Sequence, residues 1–136
     1  MKMYTDGSHK DGKVAYAVIL VDDNNEIIFS KTGQLSSPEA IATRQVAGEL
    51  FAVLRGLEEV RVRGIKNVSV HHDYEGVGEW AKGSWKAKNV VTKEYVKRLA
   101  KYADIKISWH KVAGHSGDRF NSVVDKMAGV AVNKSI

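Results

Sequence analysis

At 136 residues with 43% hydrophobic content, the chain has room for one domain with a real core and too little for two. The absence of cysteine excludes disulfides and thiolate metal sites, and no apolar run approaches the roughly 20 residues of a membrane span. A net charge of +5 suits a polyanionic partner, because Lys and Arg gain affinity by releasing counterions from phosphates. The opening "MKMYTDGS" lacks the apolar region of a signal peptide, so a cytoplasmic setting is expected.

In chain order, "KMYTD" and "KVAYAVILVDD" are rich in β-formers and predict two strands, with "SHKDG" as the turn between them. "DDNN" marks a second turn before a third strand in "EIIFSKTG", which makes an antiparallel meander. After Pro38 the period changes. Val46, Leu50, Val53, Leu54, Leu57 and Val60 recur at helical spacing and predict one long amphipathic helix ending near Gly64. "KNVSVHHD" and "DIKISWHK" read as buried strands with a helix around "TKEYVKRLAKYA" between them, an alternation that implies parallel crossovers. "GHSGD" is a loop, and Phe120, Val124, Met127, Ala128 and Ala131 repeat on a last helix. No repeat, linker or low-complexity tract divides the chain, so residues 1–136 are expected to form one α/β domain with a mixed five-stranded sheet. With no coiled-coil seam, a monomer is expected.

Several acids fit a structural role poorly. Rotation by 100° per residue sets Glu49 on the shoulder of the apolar helix stripe, where a carboxylate is costly without a partner. Asp6 and Asp73 are expected at strand ends, where open α/β sheets hold ligands. Asp125 lies one turn after Asn121 on the last helix. Taken singly, each has a plain explanation: Asp73 alone is expected to cap the helix beginning "YEGVGEW", Glu49 could pair with a base, and Asp125 could be solvated. Together they would repel one another unless divalent cations gather them, and an oxygen-only set favours Mg²⁺ or Mn²⁺ over zinc. A histidine zinc site is rejected, since His71 and His72 are strand neighbours facing opposite ways, His110 is on another strand and His115 is in a loop. His115, flanked by glycines, is either a surface residue or a proton carrier reaching a site.

The ordered set "YTDGS", "AGELFAV", "HHDYEGV" and "VAGHSGDRFNSVVDKMA" resembles the type 1 ribonuclease H family over nearly the full chain. The resemblance implies strand order 3-2-1-4-5 with helices on both faces. It also implies a metal-binding catalytic tetrad at Asp6, Glu49, Asp73 and Asp125, with His115 as the loop histidine that assists proton transfer or product departure. Two Mg²⁺ ions would act in hydrolysis of the RNA strand of an RNA–DNA hybrid, leaving 5′-phosphate and 3′-hydroxyl ends. Choosing RNA requires contact with 2′-hydroxyls, for which Gly7, Ser8, Gly48 and Asn121 are the implied readers. The DNA strand would follow Trp85, Lys86 and Lys88; a core tryptophan in a solvated lysine loop is the plain alternative. The chain departs from the family where two asparagines often precede the helix glutamate: here "TRQVAGE" gives Arg44 and Gln45 that contact role or leaves it unfilled. The family's basic handle is abbreviated to "AKGSWKAKNV", and no separate hybrid-binding domain is expected. Two other functions fit the same fold: a catalytically silent hybrid-binding module, against which the retained tetrad argues, and a metal nuclease acting on DNA.

Overall fold

A computed structural model describes residues 1–112 and 118–134. Its strands β1 (Lys2–Lys10), β2 (Lys13–Val21) and β3 (Ile27–Leu35) form the expected meander. The first turn is tighter than the sequence suggested: β1 runs on through Gly7, Ser8 and His9, and only Asp11 and Gly12 form the turn, both with positive φ (51° and 76°). That is a two-residue hairpin of the kind whose twist matches the strands it joins. Asp6 therefore sits mid-strand, opposite Ala17, and not at a strand end.

Beyond β3 the long helix expected from periodicity is present, and a short helix that the periodicity did not show precedes it. Ser37 caps α1 (Pro38–Thr43), its side chain accepting from the Ala40 N–H. The chain then breaks at Arg44, whose φ of 62° and ψ of −139° fit neither helix, and α2 (Gln45–Val62) begins. The strand β4 (Asn67–His72), helices α3 (Gly76–Lys82) and α4 (Val90–Leu99), a 3₁₀ turn at Ala100–Tyr102, strand β5 (Lys106–Lys111) and helix α5 (Arg119–Val132) complete the order. Glu75 precedes α3 without a side-chain cap, so Asp73 is not the N-cap of that helix.

The sheet runs β3-β2-β1-β4-β5, with β4 parallel to both β1 and β5. Helix α2 covers one face, with α4 packed against it, and α5 covers β1, β2 and β3 on the other. Alternation along the strands sorts the core between these layers. Met3, Val18 and Leu20 meet Leu50, Val53, Leu57 and Val60 of α2, while Tyr4, Ala17 and Ile19 meet Phe120, Val124 and Ala128 of α5. Strand β2 is buried on both faces, which is why "VAYAVILV" is a continuous apolar run. Among the described residues, no helix is long and apolar enough to cross a membrane.

Candidate active site

The site begins where two strands part. The β1–β4 ladder pairs Lys2 with Ser69, Met3 with Val70 and Tyr4 with His71, and then stops. Two residues further along both strands, the same register would set Asp6 beside Asp73. The opening lies at the carboxyl end of β4, between strands whose connections leave in different directions, the place where α/β sheets hold ligands.

Each helix layer delivers one acid to this opening. Helix α2 can approach because Gly7 and Gly48 face each other across the contact: a Cβ on Gly48 would overlap the Ala15 carbonyl oxygen, and one on Gly7 would overlap the Gln45 carbonyl. Glu49, next in the chain, is thereby carried to the strand ends and is 4% exposed. Its carboxylate accepts from the Asp73 N–H (2.9 Å) and the Tyr74 N–H (3.3 Å), so it clamps the turn that follows β4. On the opposite face, Asp118 caps α5 by accepting from the Phe120 and Asn121 N–H groups, and the Tyr4 hydroxyl donates to its other oxygen at 3.3 Å. This ties the start of α5 to β1 two residues before Asp6, and two turns later Asp125 reaches the Asp6 carboxyl.

Crowding four acids has an electrostatic consequence. Burial, then the hydrogen bond with Asp125, then the charges of Asp125 and Asp73 push the Asp6 carboxyl up to about 7, against a lowering hydrogen bond from the Gly7 backbone. Burial and the charge of Asp6 push Glu49 up to about 8, although the Asp73 and Tyr74 N–H groups favour its ionised form. Asp73 and Asp125 are exposed, so the buried pair carries most of the strain.

Among the described residues, no three acidic or imidazole side chains stand close enough to enclose a metal ion as they are. Asp6 and Asp125 are instead held by each other, and Glu49 by backbone donors. The donor chemistry nevertheless fits a hard divalent cation, because every donor is an oxygen and burial and mutual repulsion make the two buried carboxyls costly to ionise.

The remaining sequence-derived candidates fall in three groups. Ser8 is half-buried two residues beyond Asp6 on β1, and Asn121 is half-buried one turn before Asp125 on α5. Arg44 and Gln45 are exposed at the start of α2, whereas Gly7 and Gly48 are already required by the α2–β1 contact. Trp85 lies in the segment after α3 and is 37% exposed; with Trp80, Lys86, Lys88, Asn89 and Thr92 it borders a shallow cleft of 420 Å³. His115 lies outside the described residues. Tyr74 had not been singled out in the sequence. Its ring touches those of Trp80 (5.8 Å between centroids) and Trp85 (6.3 Å), linking the acid centre to the basic, aromatic segment. An aromatic residue directly after Asp73 in a tryptophan-bearing stretch was the available signal.

The model of the RNase H family matches residues 1–133. Among curated proteins, a ribonuclease H of Legionella pneumophila (strain Lens) is 30% identical, covering 98% of this chain and 97% of its own. That of Treponema pallidum is 28% identical over 99% of this chain and 92% of its own. Among solved structures, RNase H1 from the archaeon Halobacterium salinarum superposes with a TM-score of 0.79 at 16% identity, covering 98% of both chains. LC11-RNase H1 in complex with an RNA/DNA hybrid gives 0.80 at 19% identity, covering 97% of this chain and 96% of that one. At such identities the structural likeness speaks for the fold alone.

Proposed function

This chain belongs to the ribonuclease H family of nucleases, and we propose that it cuts the RNA strand of RNA–DNA hybrids internally, leaving 5′-phosphate and 3′-hydroxyl ends. The observation that carries the reading is the convergence of Asp6, Glu49, Asp73 and Asp125 from β1, α2, the end of β4 and α5, with two carboxyls buried and held above their ordinary range. A module that only bound nucleic acid would gain nothing from that cost. The capture of a hybrid by LC11-RNase H1, a neighbour of the same fold, agrees with the substrate class.

In this reading the four acids hold two Mg²⁺ ions, with Mn²⁺ as a substitute. Such ions supply an activated water and neutralise the leaving oxygen of an in-line displacement at phosphorus. The chain's own residues do the rest. Asp6 and Asp125, hydrogen-bonded to each other, would turn their carboxylates to the cations, and Glu49 fixes the turn carrying Asp73 through two backbone hydrogen bonds. Ser8, Arg44, Gln45, Asn121 and the backbone of Gly7 and Gly48 would meet the RNA strand and its 2′-hydroxyls. Trp85, Lys86 and Lys88 offer a stacking face and charges to the DNA strand. His115 would assist proton transfer or product departure. We take residues 1–136 as one catalytic domain acting as a monomer in the cytoplasm.

The test is a substrate panel with end mapping. Hybrid, RNA–RNA and DNA–DNA duplexes of one sequence are incubated with the chain and Mg²⁺, and the product termini are determined. Cutting confined to the RNA strand of the hybrid, with 5′-phosphate and 3′-hydroxyl ends, is expected. Cutting of the DNA duplex at a similar rate would move the chain to the DNA nucleases.

A further inference from the structure

The excess positive charge of this molecule is concentrated in one segment. Residues 86–101, "KAKNVVTKEYVKRLAK", hold six of the 21 Lys and Arg and one of the 16 Asp and Glu. The rest of the chain carries fifteen of each, so the whole net charge of +5 resides here. The arginines of the α2–α4 side are each in an ion pair: Arg55 and Arg63 share Glu59, Arg61 pairs with Asp104, and Arg98 with Glu94. By contrast, Lys86, Lys88, Lys93, Lys97 and Lys101 are all exposed, and among the described residues none of them is in an ion pair.

Helix geometry arranges these charges. Asn89 caps α4 by accepting from the Thr92 N–H at 2.8 Å, which fixes where the helix starts. Thr92 and Tyr95 turn inward, and the Tyr95 hydroxyl donates to the Val77 carbonyl at 2.8 Å, fixing the rotation of α4 on α3. Lys93 and Lys97 are therefore held on the outer face one turn apart, about 6 Å along the axis, and Lys101 follows in the 3₁₀ turn, exposed and bordering a cleft with Arg98 and Glu58. The start of α4 lies beside the aromatic cluster that follows Asp73. Asp73 is followed by Tyr74, whose ring touches Trp85, and Trp85 shares its cleft with Lys86, Lys88 and the first turn of α4.

We propose that the outer face of α4, through Lys93, Lys97 and Lys101, is a second phosphate-binding surface that grips the backbone of the same hybrid away from the cleavage centre. This rests on the hybrid reading above. Its role is affinity: ammonium groups in no ion pair among the described residues exchange condensed counterions for protein charge regardless of sequence. Because the row lies beyond the aromatic cluster, it lengthens the footprint without touching the reacting phosphate.

The experiment is equilibrium binding of a hybrid to the Asp6→Asn protein across a salt series, with and without the combined Lys93→Gln, Lys97→Gln and Lys101→Gln substitutions. A control carries Lys31→Gln, Lys66→Gln and Lys106→Gln, which remove equal charge; Lys66 and Lys106 lie at the amino ends of β4 and β5, opposite the acids. Each phosphate contact adds about 0.7–0.9 to the slope of log K against log salt, so loss of the α4 row lowers that slope by roughly 2–3. The control keeps the slope. With Asp6 restored, the α4 variant raises KM for the hybrid and leaves kcat unchanged. An unchanged slope, or an equal fall in both triple variants, overturns the second surface while cleavage by the unsubstituted chain stands. If the unsubstituted chain neither binds nor cuts the hybrid, both readings fall.

Discussion

At the scale of single residues, the site is defined by carboxyls that are costly to ionise. Asp6 moves from an unfolded value of 3.8 to about 7 in the fold, so between those values the folded chain holds more protons than the unfolded one. Stability therefore falls as pH rises through that window, the reverse of a salt-bridged acid. Asp6→Asn removes the cost. In EDTA the variant is expected to be more stable than the natural chain at pH 8 by roughly 1–3 kcal/mol, with the gap shrinking toward pH 5. Urea unfolding at both pH values measures it, and a pH-independent gap would show that Asp6 is not strained by its neighbours. Sequence periodicity found Glu49 on the shoulder of its stripe but could not show that its partners are two backbone N–H groups, because those come from a turn distant in the chain. It could not have nominated Asp125, whose significance comes from meeting Asp6 across the sheet. The ordered motifs of a family, not the physics of any one stretch, supplied that residue.

At the scale of elements, helix position on the sheet sets the distance between acids. The Gly7–Gly48 contact is the point of closest approach, with the Gly7 Cα 3.1 Å from where a Cβ on Gly48 would sit. Gly48→Ala must push α2 away from Ala15 and Gly7. A loss of roughly 1–3 kcal/mol in stability is expected, with hybrid cleavage slowed about 10²-fold because Glu49 is displaced from the strand ends. Thermal unfolding and single-turnover cleavage at a temperature where the variant is folded separate the two effects; full activity would mean that α2 does not set the site. Strands were legible where their surroundings are uniform, as in the doubly buried β2. Where several backbone courses satisfy the same composition, local reading failed. "SHKDG" carries turn residues, yet two suffice, and pairing of Ser8 with Ala15 and His9 with Val14 keeps the others in the ladder. The break at Arg44 was hidden because the residue stands in a backbone region that its own side chain disfavours.

At the scale of the whole molecule, the acid centre at the β1–β4 divergence leads through Tyr74 into an aromatic cluster with Trp80 and Trp85, beside which Lys86, Lys88 and the start of α4 lie. Net charge reported the surplus of positive charge, the sequence of residues 86–101 holds it, and the fold leaves Lys86, Lys88, Lys93, Lys97 and Lys101 exposed. The central claim is that the four acids form a single metal-dependent centre acting on RNA in hybrids. The measurement that tests it most directly is single-turnover cleavage of a hybrid labelled in its RNA strand, for the natural chain and Asp6→Asn, with Mg²⁺ and with EDTA. Cutting that requires Mg²⁺ and falls roughly 10³-fold or more in the variant, while the variant still binds the hybrid, is the predicted result. A natural chain that binds the hybrid and leaves it whole with either Mg²⁺ or Mn²⁺ would contradict the account and make this fold a binding module.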